Sequence, residues 1–453
     1  LTYPAVIFIL ILIACLFGPP GRLVYLWGGT LAFGALAIIP PEAISGFNLL
    51  PGAAVALILI AKAFLNQRRA YEMAQLAFEL DAMILLTMFL FISVLSAVLY
   101  PRMFQGQVQV VPMRGDDFDL APTMANFTQL SYVLVSCLMV IVTRHMAERR
   151  GFVDYFIRGL LVGGTLLLLT GVISLVLGPQ ASVVSAAFKT AKYAYLAGSE
   201  VAGFRRVDGF MTEASAFGGT CISCSGILLF LGGTLKSEAE RLYAKALAWL
   251  LIVMAVLSTS SAAYVGLAVL LSIYSSWSLV RALQGRTRLT AAVGVELAVA
   301  LIAIVVGLGA VIISPELLDQ PRAMLDVILF KKVYSSSYYE RSMWNKMAMD
   351  ALWQTWGVGV GIGAARASNW IVAVLSNTGV LGGLALFGFM ARLLLAKPNR
   401  ADRADVVTGL KLVILVDMVP RIMVATTPDF GVGGGLEFGI LAAFTARASL
   451  LDE

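Results

Sequence analysis

Two arginines, Arg206 and Arg341, stand beside apolar stretches in segments that also carry glycine and aromatic residues. A guanidinium presents a planar fork of donors that matches phosphate oxygens two at a time, so arginines placed this way suit bidentate phosphate contacts. A second concentration of charge lies in Val406 to Thr427, an apolar run that holds Lys411, Asp417 and Arg421. An ionisable group inside such a run is costly and therefore points to function. Asp417 and Arg421 share one helix face and are able to pair, with Pro420 loosening the helix beside them. The pair reads either as a structural bridge at the outer end of a bundle or as a substrate contact. Other chemistries are poorly supplied. Cys221 and Cys224 have redox-motif spacing but sit in an apolar run without neighbouring His or Cys, where small packing residues are the simpler reading. The chain has one histidine, His145, so no metal site and no cofactor is expected.

The elements that must position the arginines follow from periodicity. From Tyr338 onward, a helical reading puts Met343, Trp344, Met347, Ala348, Ala351 and Leu352 on one face and Ser342, Asn345, Lys346 and Asp350 on the other. Such a helix would lie on a membrane or against other helices. The alternating glycines Gly357, Gly359, Gly361 and Gly363 come next, then Arg366 and Ser368-Asn369. Glycine at every second position removes side chains and lets a ligand or another helix approach the backbone closely. Without a following Lys-Ser/Thr, this is not a nucleotide P-loop.

Composition bounds the class. The 453 residues are 59% hydrophobic and 13% charged, with mean hydropathy +0.88, too little polar surface for a soluble globule. The chain reads as an all-α, polytopic transmembrane helix bundle of about 12–14 spans, each roughly 17–25 residues. The first apolar run is short and precedes Pro19-Pro20, but it lacks a basic leader region and another span follows, so it reads as a helix. No soluble domain, linker or repeat interrupts the chain, and residues 1–453 are expected to form a single integral membrane domain. Basic loops mark the inner side. Arg144-His145 to Arg158 is the anchor, joined by Asn66 to Asp81, Lys236 to Lys245, Arg281 to Arg288 and Lys397 to Arg403. His145 then reads as an interfacial anchor. The outer side receives 101–126, the loop 179–216, the large loop 315–368 and the short 428–435.

Several segments together resemble one family. Arg206-Val-Asp-Gly209-Phe210-Met-Thr-Glu213-Ala-Ser215-Ala-Phe217-Gly218 looks like the segment that precedes a span in bacterial polysaccharide polymerases. The spacing of Arg341 and Gly357 is similar to that in the outer loops of Wzy-type O-antigen polymerases. Ser258-Thr-Ser260-Ser261 resembles their serine-rich turn, although Ala262 stands where an arginine often follows. Asn377-Thr378-Gly379 and Gly382-Gly383 are similar to the span that closes the motif across O-antigen polymerases and ligases. Ligases place a functional histidine, usually followed by Asn, where this chain has Ser368-Asn369, which favours the polymerase branch.

The resemblance implies a GT-C-like fold in the bacterial inner membrane and metal-independent glycosyl transfer at its periplasmic face. A hydroxyl of one polyprenyl-diphosphate-linked repeat attacks the anomeric carbon of a growing chain, and polyprenyl diphosphate leaves. Preorganised cations must face that leaving group, for which Arg206 and Arg341 are the first candidates and Arg205, Arg366 and Arg421 the next. A positioned carboxylate would serve as general base, with Glu213 and Glu340 as candidates and Asp208 in reserve. Asp417, Gly357, Gly359, Gly361 and Asn369 would support the site, and Arg206 and Arg341 are expected over one cavity. The implied partners are lipid-linked oligosaccharides, membrane lipid and a chain-length regulator, with no nucleic acid. A ligase transferring glycan to lipid A-core, and a flippase for lipid-linked oligosaccharide, are the alternatives.

Overall fold

The computed structural model describes residues 2–44, 47–113, 118–149, 151–192, 200–201, 204–285 and 336–446. The protein is an all-α polytopic bundle, as its composition requires. Among the described residues, six helices are long and apolar enough to cross a membrane: α5 (Ala82–Met103), α6 (Met124–Ala147), α7 (Phe152–Val176), α9 (Ala214–Leu231, continued to Thr234), α11 (Ser261–Leu283) and α13 (Trp370–Leu395). Three shorter apolar helices are α1 (Tyr3–Leu16), α3 (Pro51–Phe64) and α15 (Gly431–Thr445). The remaining helices are α2 (Pro20–Gly29), α4 (Gln67–Ala77), α8 (Ala181–Ala186), α10 (Glu238–Leu257), α12 (Ser336–Gln354) and α14 (Ala404–Val424). A two-residue antiparallel ladder, Glu200–Val201 with Phe204–Arg205, interrupts the stretch before α9. The first part of the expected large loop, 315–335, lies outside the described residues, as do 286–288 of the basic loop before it.

The chain divides into two compact units. The first comprises 1–55, 154–335 and 415–419. In it α9 packs on α10 and α11. Helices α2 and α7 touch backbone to backbone: a Cβ added to Gly28 would lie 2.2 Å from the carbonyl of Gly159, and one added to Gly163 would lie 2.0 Å from the Gly28 oxygen. Small residues at a crossing allow this approach, which replaces the missing hydrophobic drive between helices in lipid by close packing. Trp27 stacks on Phe156 alongside, ring centres 6.1 Å apart.

The second unit comprises 56–153, 336–414 and 420–453. Here α15 packs along α6, α13 along α5, and α12 against α13. The basic stretch expected as one loop from Arg144 to Arg158 is corrected: α6 runs through Ala147 and α7 resumes at Phe152. Arg144 is only 4% exposed and is paired with Glu79 and, at 3.2 Å, with Asp81. The expected loop 66–81 is itself mostly helix, α4, capped by Asn66, whose side chain accepts from the Arg69 amide. His145 lies 3.8 Å from Glu72 of that helix. Arg144 thus ties α6 to the segment between α4 and α5, and it is an anchor that positive charge alone did not distinguish from its exposed neighbours. Replacing it with alanine removes a buried side chain and its charge-assisted contacts but leaves Glu79 and Asp81, 40% and 36% exposed, open to water, so Arg144→Ala is expected to lose about 2 kcal/mol of stability. Thermal unfolding of the purified protein in detergent checks this, and an unchanged transition would refute it.

Candidate functional site

In the second unit, three of the candidate arginines gather near the start of α13. Arg366 ends the glycine-rich segment, half-buried, with its guanidinium 3.8 Å over the ring of Trp344 from α12. Its amide donates to the Val111 carbonyl at 2.8 Å, which pins this segment to the loop between α5 and α6. Burial holds the Arg366 pKa below its ordinary value, Arg341 pushes it the same way, and Glu340 opposes them. The guanidinium keeps its charge at neutral pH regardless. Glu340 is exposed and Arg341 half-buried in the first turns of α12, so two cations and a carboxylate share one patch with an indole face.

Arg421 reaches the same end of α13 by another route. The Asp429 carbonyl accepts from Trp370 Nε1 at 2.8 Å and from Arg421 Nη1 at 3.4 Å. The Nε of Arg421 is buried without a protein partner among the described residues. Asp417, buried, accepts from Ser223 at 2.8 Å in the first unit. Arg421 turns toward the loop after α14, where the Asp429 carbonyl accepts from it as well as from Trp370.

The glycines that precede Arg366 prove to be matched to helices. Gly357, Gly359, Gly361 and Gly363 all have positive φ, from 78° to 100°. Added Cβ atoms would come within 2.7 Å of the Gly379 amide, 2.6 Å of Pro101 and the Ser96 carbonyl, and 2.4 Å of the Ala125 carbonyl, at Gly359, Gly361 and Gly363 respectively. Of the two readings open from sequence, close approach by another helix is the one realised at these positions. Opposite them α13 breaks at Gly379 (φ 74°, ψ 178°). The break frees carbonyls that the glycine segment satisfies: Val360 N donates to Ser376 O at 2.8 Å and Gly361 N to Asn377 O at 3.1 Å. Buried Asn377 completes the join, accepting from Gly363 N at 3.1 Å and donating to the carbonyls of Ala373 (2.8 Å) and Ala365 (3.3 Å). Irregular backbone at membrane depth is tolerated where protein satisfies it in this way. Asn369 is the N-cap of α13, its side chain accepting from Ile371 and Val372 amides at 3.0 and 3.2 Å.

The amphipathic reading of α12 holds in its second half, whereas Met343, expected on the inward face, is 37% exposed. Ala348, Ala351 and Leu352 are buried, Lys346 and Asp350 exposed. Asn345, expected on the outward face, is half-buried because its side chain accepts from the Ser368 amide at 2.7 Å.

The first unit holds the other candidates. Arg206, half-buried, donates from Nε to the Ser258 carbonyl at 3.4 Å. Ser258, Thr259, Ser260 and Ser261 form the buried turn between α10 and α11, with Thr259 at φ 47°. The adjacent Val207 amide donates to the Leu257 carbonyl at 3.2 Å, so the arginine segment and the serine turn are one structure. Glu213 precedes α9 as its N-cap residue and accepts from the Ser215 hydroxyl. Asp208, the reserve candidate, is held by Lys189 at 2.6 Å and by Ser174 at 3.4 Å. The backbone of Arg205 pairs with Glu200, and its side chain lies outside what is described. Arg206 and Arg341 belong to different units, each described with its own neighbours.

Sequence reasoning missed two features. Trp344 was read as packing surface, and only the fold shows that Arg366 lies on it. Glu437 is 5% exposed inside α15, and the rule that ionisable groups within spans draw attention would have found it. Comparison of the chain with protein-family models, curated proteins and solved structures finds no match.

Proposed function

We propose that the protein polymerises glycan repeats carried on polyprenyl diphosphate, transferring the growing chain from its lipid to a sugar hydroxyl of the next repeat. The observation that carries this reading is the patch before α13, where Arg341 and Arg366, from separate stretches of sequence, lie beside an indole face and a carboxylate, while Arg421 reaches the start of α13 through the Asp429 carbonyl that Trp370 shares. Cations fixed in a partly dry setting stabilise a diphosphate as charge develops on it, and a preorganised array does so without rearranging during reaction. Trp344, by holding the Arg366 guanidinium flat, limits the freedom that binding would otherwise remove. Glu340 is positioned to accept the hydroxyl proton or to orient its neighbouring arginine. Glu213 is the alternative base, with its Ser215 contact fixing the carboxylate. The decisive assay supplies purified protein with lipid-linked repeat units and looks for a ladder of chain lengths. Transfer of one block to lipid A-core would identify a ligase instead.

A transport reading draws on one observation, the break of α13 at Gly379, since transporters use discontinuous helices near their substrates. The same assay separates the two, because a flippase relocates its lipid-linked sugar unchanged.

The setting belongs to the proposal: the bacterial inner membrane, with the loop 179–216 and the end of the chain stretch 315–368 on the periplasmic side. Lys192, 64% exposed, and Arg149, also exposed, provide the test. Lys192→Cys is expected to react with an impermeant thiol reagent in intact spheroplasts, and Arg149→Cys only after permeabilisation. The reverse pattern would overturn the orientation.

A further inference from the structure

We propose that the first unit carries a lipid site: a groove walled by α1, α2 and α7 that holds an anionic phospholipid, with Arg22 on the phosphate and an acyl chain along the helices. The cavity measures about 710 Å³, within the range of specific small-molecule sites. Ile7 and Ile11 of α1, Leu26 of α2 and Leu166 of α7 form its sides, and Arg22 is the one charged residue among those that line it. This inference goes beyond the glycosyl-transfer reading and takes from it only the membrane orientation.

The nature of the occupant follows from how the groove opens. Ile7 and Ile11 are 58% and 46% exposed on the α1 rim, and in a membrane bundle a rim of that composition faces hydrocarbon. A molecule that enters from hydrocarbon and fills an apolar groove is a lipid. The cation then selects among lipids. Arg22 folds back over the turn between α1 and α2, its Cδ lying where a side chain on Gly18 would begin. It is exposed, and no carboxylate pairs with it among the described residues. The ring of Tyr155 packs on the first turn of α2 at Gly21, beside it, and Tyr25 also lines the groove. A guanidinium with two phenol rims at the end of an apolar channel matches a phosphate ester above its chain.

Sidedness separates a phospholipid from the lipid-linked sugar. Tyr155 lies in the first turns of α7, immediately after the basic stretch that includes Arg149 and Arg150. Clustered cations attract the anionic leaflet, so the phosphate held by Arg22 belongs to a lipid of that leaflet. The glycan carrier presents its diphosphate to the opposite side.

The test uses the full chain purified in mild detergent, with native mass spectrometry reading the retention of added dioleoyl phosphatidylglycerol against dioleoyl phosphatidylcholine. Wild type is expected to retain one phosphatidylglycerol in preference to phosphatidylcholine. Arg22→Gln should reduce that preference by about tenfold, the scale of one charge-assisted contact. Gly29→Leu fills the groove from α2, where an added Cβ meets only Val162 at 3.8 Å. It should lower retention of both lipids, while its thermal unfolding stays near wild type. Equal retention of the two lipids by wild type, or an undiminished preference in Arg22→Gln, would overturn the proposal. So would a polyprenyl phosphate, rather than a phospholipid, recovered as the lipid that Gly29→Leu displaces.

Discussion

Replacing Arg341 with alanine is expected to lower polymerisation turnover by about 100-fold or more, because a fixed cation facing a leaving group acts most strongly as charge develops. Lysine should recover part of the loss. An ammonium restores the charge but not the planar fork, so Arg341→Lys should fall between wild type and alanine. The fold should tolerate both changes: Arg341 is half-buried in the first turns of α12, and the helix is held by Ala348, Ala351 and Leu352 further along. The measurement is the length ladder formed by purified variants in proteoliposomes, with expression and unfolding followed in parallel. A full ladder from Arg341→Ala would remove this residue from the mechanism.

The second large effect concerns the break in α13. Gly379 occupies a backbone region (φ 74°, ψ 178°) that is essentially restricted to glycine. A Cβ there would also lie 2.2 Å from the Val358 carbonyl oxygen. Strain and overpacking act together, and Gly379→Ala is expected to cost about 3 kcal/mol or more. Gly219 provides the control, since it lies within α9 with nothing within 4 Å of an added Cβ. Gly219→Ala should be neutral or slightly stabilising through helix propensity. If the two variants unfold alike in detergent, the glycine segment does not constrain α13 as described. Loss of the break should also reduce turnover, because Arg366 is carried by the segment that the break receives.

Much of the architecture was legible beforehand because membrane insertion imposes its demands residue by residue. A span needs a long apolar run and satisfied backbone, so hydropathy locates α5, α6, α7, α9, α11 and α13 without any knowledge of neighbours. The helical reading of α12 is likewise a local property, read from spacing.

What the sequence left open depends on partners distant along the chain. Alternating glycines permit a ligand or a helix, and only the positions of Gly379, Pro101 and Ala125 decide for the helix. Asp208 and Glu213 are both carboxylates near Arg206, yet Lys189 commits one to an ion pair while Ser215 holds the other. Asp417 and Arg421 satisfy the spacing rule for a pair, and only the fold shows that a hydroxyl on α9 donates to the one and a carbonyl after α14 accepts from the other. Helical spacing establishes which side chains can meet on one element. Tertiary packing decides which of them do, because each buried polar group takes the partner that the surrounding helices bring within hydrogen-bond reach.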